Sequence, residues 1–166
     1  ALDEFVDEQC EALGFKRSEA IFGGFSQGGG LALGLALLPG ERVRPAGVLA
    51  MSPAVPLGPE IDIAPEARTV PVLVQHGTND PLIPVKSSRR LARHLRASGV
   101  PTVYREYPME HQVAIESLRD ARAWMDQVLA GEPPDEAIPD DPIELVPAVT
   151  TAEWEREVLR SETPVI

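Results

Sequence analysis

Leu2, Phe5, Val6 and Leu13 recur at helical spacing and Gly14 follows as a stop, so the chain opens with a helix. Ala20–Phe25 is a short apolar run bounded by charge and glycine, the signature of a buried strand. Gln27–Leu38 is almost wholly apolar and ends at Pro39-Gly40, which predicts a buried helix. Ala46–Met51 is a second strand. Ser52–Thr69 carries four prolines and no period, so it reads as a long loop. Pro71–Gln75 is a third strand, and His76–Pro84 a loop. Val85–Ala97 is an amphipathic, Arg-rich helix closed by Ser98-Gly99. Thr102–Tyr107 is a fourth strand, Pro108–His111 a turn, and Gln112–Leu129 a final helix. Strands that are continuous apolar runs, alternating with helices, predict an α/β fold: a parallel sheet of about four strands covered on both faces. In such sheets ligands bind beyond the carboxyl ends of the strands.

Composition divides the chain. Residues 1–130 hold 16 acids and 13 bases, whereas 131–166 hold 10 acids, 2 bases and six of the 17 prolines. A boundary near Gly131 is expected, with 131–147 as an acidic, proline-stiffened linker that repels itself. The net charge of −11 argues against nucleic-acid backbones and anionic membranes as partners. The longest apolar run, Leu31–Leu38, has eight residues, far short of the roughly 18 of a membrane span. A single cysteine excludes an internal disulfide and a cysteine zinc cluster, and fits a reducing, cytoplasmic setting. Cys10 reads as a small packed residue of the first helix.

The chemistry follows the first strand. Gly24-Phe25-Ser26-Gln27-Gly28 is a G-x-S-x-G between an apolar strand and a helix of small residues, the context of a nucleophile elbow. The sharp turn requires small neighbours, which Gly24 and Gly28 supply. It lifts the Ser26 hydroxyl above the sheet and aims the Gln27 N–H at a developing oxyanion. A serine at its ordinary pKa is a poor nucleophile and needs a base. In the chain order Ser, Asp, His, Asp80 after the third strand orients and His111 after the fourth shuttles the proton. Each has a plainer reading: Ser26 as a helix cap, Asp80 before Pro81 as a turn residue, His111 as a cap of the last helix. His76 precedes Asp80 and reads as a structural histidine, and His94, among arginines, as a solvated one. Leu57, Leu82 and Ile83 are candidate walls of an acyl pocket or members of the core.

Gly23–Gly29, His76–Val85 and Tyr107–Val113 resemble the three signatures of the carboxylesterase/phospholipase family of α/β-hydrolases, which includes acyl-protein thioesterases. The resemblance runs from about residue 2 to residue 130. It implies esterase or thioesterase chemistry on small-molecule or acyl ester substrates, with Ser26, Asp80 and His111 as the triad, no cofactor and no metal. Glu110 stands where that family has glycine before the histidine. Nothing here matches the family's H-G-x-G-like loop, source of the second oxyanion donor, nor the strands before the nucleophile strand. The expectation is the C-terminal half of the fold, with the first strand exposed as an edge that invites self-association. On that expectation residues 1–166 alone are a poor catalyst. The rival reading is a non-catalytic interaction module completed by another chain.

The tail carries a second resemblance. Val149-Thr150-Thr151-Ala152-Glu153-Trp154, Val158-Leu159 and Ser161–Ile166 are similar to the opening of a thioredoxin domain, which implies that 148–166 begin such a domain in a fused parent. The alternative is an acidic linker with one amphipathic helix.

Overall fold

The computed structural model describes residues 2–55 and 61–132. The expected linker, the thioredoxin-like segment and Leu57 lie outside the described residues.

Four strands form one parallel sheet in the order β1 (Ile21–Phe25), β2 (Gly47–Met51), β3 (Val72–Gly77), β4 (Thr102–Tyr107). The two-residue alternation of a strand sends side chains to two faces, and both faces are apolar. Val48, Ala50, Val72, Val74 and Tyr104 meet α2 (Gln27–Leu37) and α3 (Val85–Ala97) through Leu33, Leu37, Leu91 and Leu95. Leu49, Leu73 and Val103 meet α4 (Ile115–Leu129) through Ala121 and Trp124. α2 is apolar on all sides: one face packs on the sheet through Leu33 and Leu37, and Leu31, 57% exposed, faces outward.

The predicted elements are present, and the differences have local causes. β3 runs on through His76 and Gly77, where a loop was expected. Gln75 and His76 are polar, yet both are fully buried, because each finds partners inside the protein. α4 begins at Ile115 rather than Gln112, and the Ser117 hydroxyl accepts the Ala114 N–H at that start. The proline-rich loop contains a turn of 3₁₀ helix at Pro65–Thr69. His94 is half-buried rather than fully solvated: its Nε2 donates to the Ile61 carbonyl at 2.6 Å, tying that loop to α3.

α1 (Leu2–Leu13) is held by charge as well as by packing. Arg17, 5% exposed, bonds Asp3 at 2.7 Å and Asp7 at 3.0 Å and lies over the Phe22 ring. Cys10 is buried in α1 as expected. Among the described residues, β1 pairs with β2 alone. The Ala20 carbonyl and the Ser26 N–H, at its two ends, both bond the β2 side. By alternation, the backbone groups of Ile21, Gly23 and Phe25 face the open edge.

Candidate active site

Three strand ends deliver the polar residues to one edge of the sheet. Ser26 follows β1 with φ 55° and ψ −118°, a region that L-residues rarely occupy. Three backbone bonds hold it there: its N–H to Met51 O at 2.8 Å, and its carbonyl to Gly30 N–H at 3.2 Å and Ala54 N–H at 2.9 Å. The close approach of strand and helix makes Gly24 obligatory, since a Cβ there would overlap the Gly28 carbonyl. Gly28 is not constrained in the same way. A Cβ on it meets nothing within 4 Å, because it faces open space at the start of α2.

Ser26 is the residue that precedes α2, but its side chain does not cap the helix. Its hydroxyl lies 3.0 Å from His111 Nε2. His111 Nδ1 lies 2.7 Å from Asp80 Oδ2. The imidazole is 4.6 Å from the Phe25 ring, which limits its rotation. Asp80 serves two purposes at once. Oδ1 accepts the Leu82 and Ile83 N–H groups, both at 2.9 Å, as a turn residue before proline does. Oδ2 faces the two histidines, 2.7 Å from His111 Nδ1 and 3.3 Å from His76 Nε2. The Asp80 side chain has no exposure to solvent. Burial pushes its pKa up, but the bonds from Ile83 N–H, His111 and Leu82 N–H outweigh it and hold the carboxyl below its ordinary 3.8.

Gln27 is the first residue of α2, and the helix itself provides no carbonyl for that amide. A groove of about 780 Å³ opens beside it, lined by Leu31, Val55, Ile61, Leu82, Ile83 and Leu91 among others. Leu82 is 71% exposed and stands at a rim rather than in the core. Glu110 is exposed beside His111. Among the described residues, no cluster of three or more His, Cys, Asp or Glu could hold a metal ion, and no helix is long and apolar enough to cross a membrane.

His76, expected to be structural, lies inside the fold and against Asp80. Its ring is completely buried, 3.3 Å from Asp80 Oδ2 on the side away from solvent, with Ser88 Oγ at 2.7 Å from Nδ1. The available signal was the spacing, since His76 near the end of β3 and Asp80 in the connection after it are four residues apart.

Comparison with known proteins agrees with the fold. Acyl-protein thioesterase 1 of Cryptococcus neoformans is 29% identical over 145 residues, covering 78% of this chain and 60% of that protein. Carboxylesterase SOBER1 of Arabidopsis thaliana is 30% identical over 129 residues, covering 76% of this chain and 55% of that protein. The crystal structure of SOBER1 superposes with a TM-score of 0.66 at 26% identity, over 77% of this chain and 61% of that one. The chain thus spans less than two thirds of the length of these relatives. The sequence pattern of the phospholipase/carboxylesterase family matches residues 1–129, nearly all of the described part, and the chain belongs to that family.

Proposed function

We propose that this chain carries the catalytic residues of a serine hydrolase that cleaves carboxylic esters or thioesters of acyl substrates. The observation that carries the reading is the unbroken chain of hydrogen bonds from Ser26 Oγ through His111 to Asp80, at 3.0 and 2.7 Å. In the proposed reaction Ser26 Oγ attacks the acyl carbon while His111 Nε2 takes its proton. The Gln27 N–H donates to the oxyanion. His111 then passes the proton to the departing alcohol or thiol, leaving an acyl-enzyme. Water repeats the sequence and releases the acid. Asp80 stabilises the imidazolium and fixes its tautomer. The apolar groove beside Gln27 suits the acyl part, with Leu82 and Ile83 in its wall.

The test is labelling by a fluorophosphonate and turnover of a short-chain p-nitrophenyl ester by the intact protein. Ser26→Ala and His111→Ala should each remove nearly all turnover, since one missing member of such a unit costs about as much as several. Asp80→Asn should cost up to about 10⁴-fold through the wrong tautomer. If His111→Ala keeps most of the activity, the assignment of the base is wrong. Among the described residues β1 has a neighbour on one side only, which favours one second reading, a non-catalytic module completed by another strand. That reading requires Ser26 to stay unlabelled.

A further inference from the structure

His76 is fully buried and takes no part in the proton transfer proposed above, yet it touches the residue that orients the base. Its Nε2 faces two groups, the Ile83 carbonyl at 2.9 Å and Asp80 Oδ2 at 3.3 Å. Both are acceptors only, so Nε2 carries a hydrogen. Nδ1 lies 2.7 Å from Ser88 Oγ, in the first turn of α3, and that hydroxyl donates to it. The contacts therefore select one tautomer, Nε2–H, and fix the plane of the ring. Ile83 is gripped from both ends: its N–H donates to Asp80 Oδ1 and its carbonyl accepts from His76. Two hydrogen bonds thus run from His76 through Ile83 to Asp80 Oδ1, and the Nε2 side of the imidazole lies against Oδ2 at 3.3 Å, so that both carboxylate oxygens are held. The carboxylate's remaining bond, from Oδ2 to His111, is the short one.

We propose that His76 is a positioning residue of the hydrolase: held by Ser88 in its Nε2–H tautomer, it fixes Ile83 and the Asp80 carboxylate so that Oδ2 stays on His111 Nδ1. This rests on the functional reading above, in which Asp80 orients the base. The ring connects β3 and α3 to the site, so a shift of α3 acts on the carboxylate through Ser88. His76 is not an alternative base, because it lies on the far side of Asp80 with its ring sealed from solvent.

The test compares His76→Leu, His76→Gln and Ser88→Ala in the intact protein. Fluorophosphonate titration counts the active serines, so that kcat is expressed per competent site. The proton on His111 Nδ1 is followed by NMR in water, where a short bond to a carboxylate gives a far-downfield resonance. His76→Leu should lower kcat per titrated site by roughly 10- to 100-fold, the scale of a displacement of about 1 Å. KM should change less, and the downfield resonance should move or vanish. His76→Gln can donate one amide hydrogen to Ile83 O and the other to Asp80, and should recover most of both signals. Ser88→Ala, a one-atom deletion that keeps the core filled, should give a smaller change in the same direction, and it carries the test if His76→Leu fails to fold. A lower Tm with unchanged kcat per titrated site and an unmoved resonance would overturn the proposal, as would Gln and Leu variants that are equally impaired. The resonance needs no turnover. A protein in which Ser26→Ala leaves activity intact would sink the hydrolase reading, while the resonance would still report whether His76 holds Asp80.

Discussion

Ser26 occupies a backbone conformation that costs on the order of 1–3 kcal/mol for a residue with a Cβ. Glycine relieves that cost and gives back part of it in chain entropy. Ser26→Gly should therefore raise the Tm by about 3 °C, from a net gain of roughly 1 kcal/mol, while turnover is lost. A melt that puts Ser26→Gly level with Ser26→Ala would show that the elbow stores no strain. The flanking glycines should separate in the same assay. Gly24→Ala forces strand and helix apart, and labelling should fall by at least about 10²-fold. Gly28→Ala meets open space at the start of a helix, and should keep labelling while gaining up to about 1 kcal/mol. The motif made Gly24 and Gly28 look equivalent, because a sequence pattern records residue type and not the atoms that face it. Asp80 was ambiguous for a related reason. Its two oxygens satisfy both the turn and the histidine contact, so the plain reading and the functional one were both partly right about its contacts.

Elements that depend on local preference were legible, and those that depend on distant partners were not. The apolar runs marked all four strands, but β3 was ended one residue before the buried His76, whose partners Ile83 and Ser88 lie beyond the strand, since no local signal tells that a polar residue will be buried. The Gln75 amide donates to Tyr107 Oη at 2.9 Å and to Ser117 O at 2.7 Å, partners 32 and 42 residues away. β4 and α3 are joined in a comparable way. Arg89 makes a two-pronged bond to Glu106 at 2.6 and 2.8 Å, and Tyr104 Oη donates to the same carboxylate. Arg89 is the first cause that holds Glu106 below its ordinary 4.5, against the upward push of burial. The sign follows from linkage: a carboxyl with a depressed folded pKa stabilises above the unfolded value. That contribution is complete above about 4.5 and is lost as pH falls through the lower folded value. Glu106→Gln should cost about 1–2 kcal/mol at pH 7, reduced from the range for charge-assisted bonds by partial exposure. The deficit should shrink in urea titrations carried out at successively lower pH below 4.5. A deficit that is constant with pH would mean that shape, not charge, is what Glu106 contributes.

At the scale of the molecule, the two-sided sheet and the placement of all three polar residues at one edge were readable from alternation and chain order alone. The free side of β1 among the described residues was readable only as an expectation, because an edge position has no sequence signature of its own. We propose self-association through that edge, and the geometry supplies a selective test. Gly23 directs its N–H away from β2, so Gly23→Pro removes an outward donor and leaves the β1–β2 ladder intact. Sedimentation at rising concentration should show assembly of the native protein and less of it in the proline variant. Equal behaviour of the two would place any association elsewhere. The same edge also has a signature in time. Amides at the centre of the sheet, such as those of Val72 and Val74, are expected to surrender their hydrogens to deuterated water only when the protein opens globally. Those of Ile21, Gly23 and Phe25 lie in the same sheet, yet an unoccupied edge lets them exchange at nearly the rate of a free peptide. Slow exchange at every second residue of β1 would then be a clock for the occupant, reading how long a neighbouring strand stays in place.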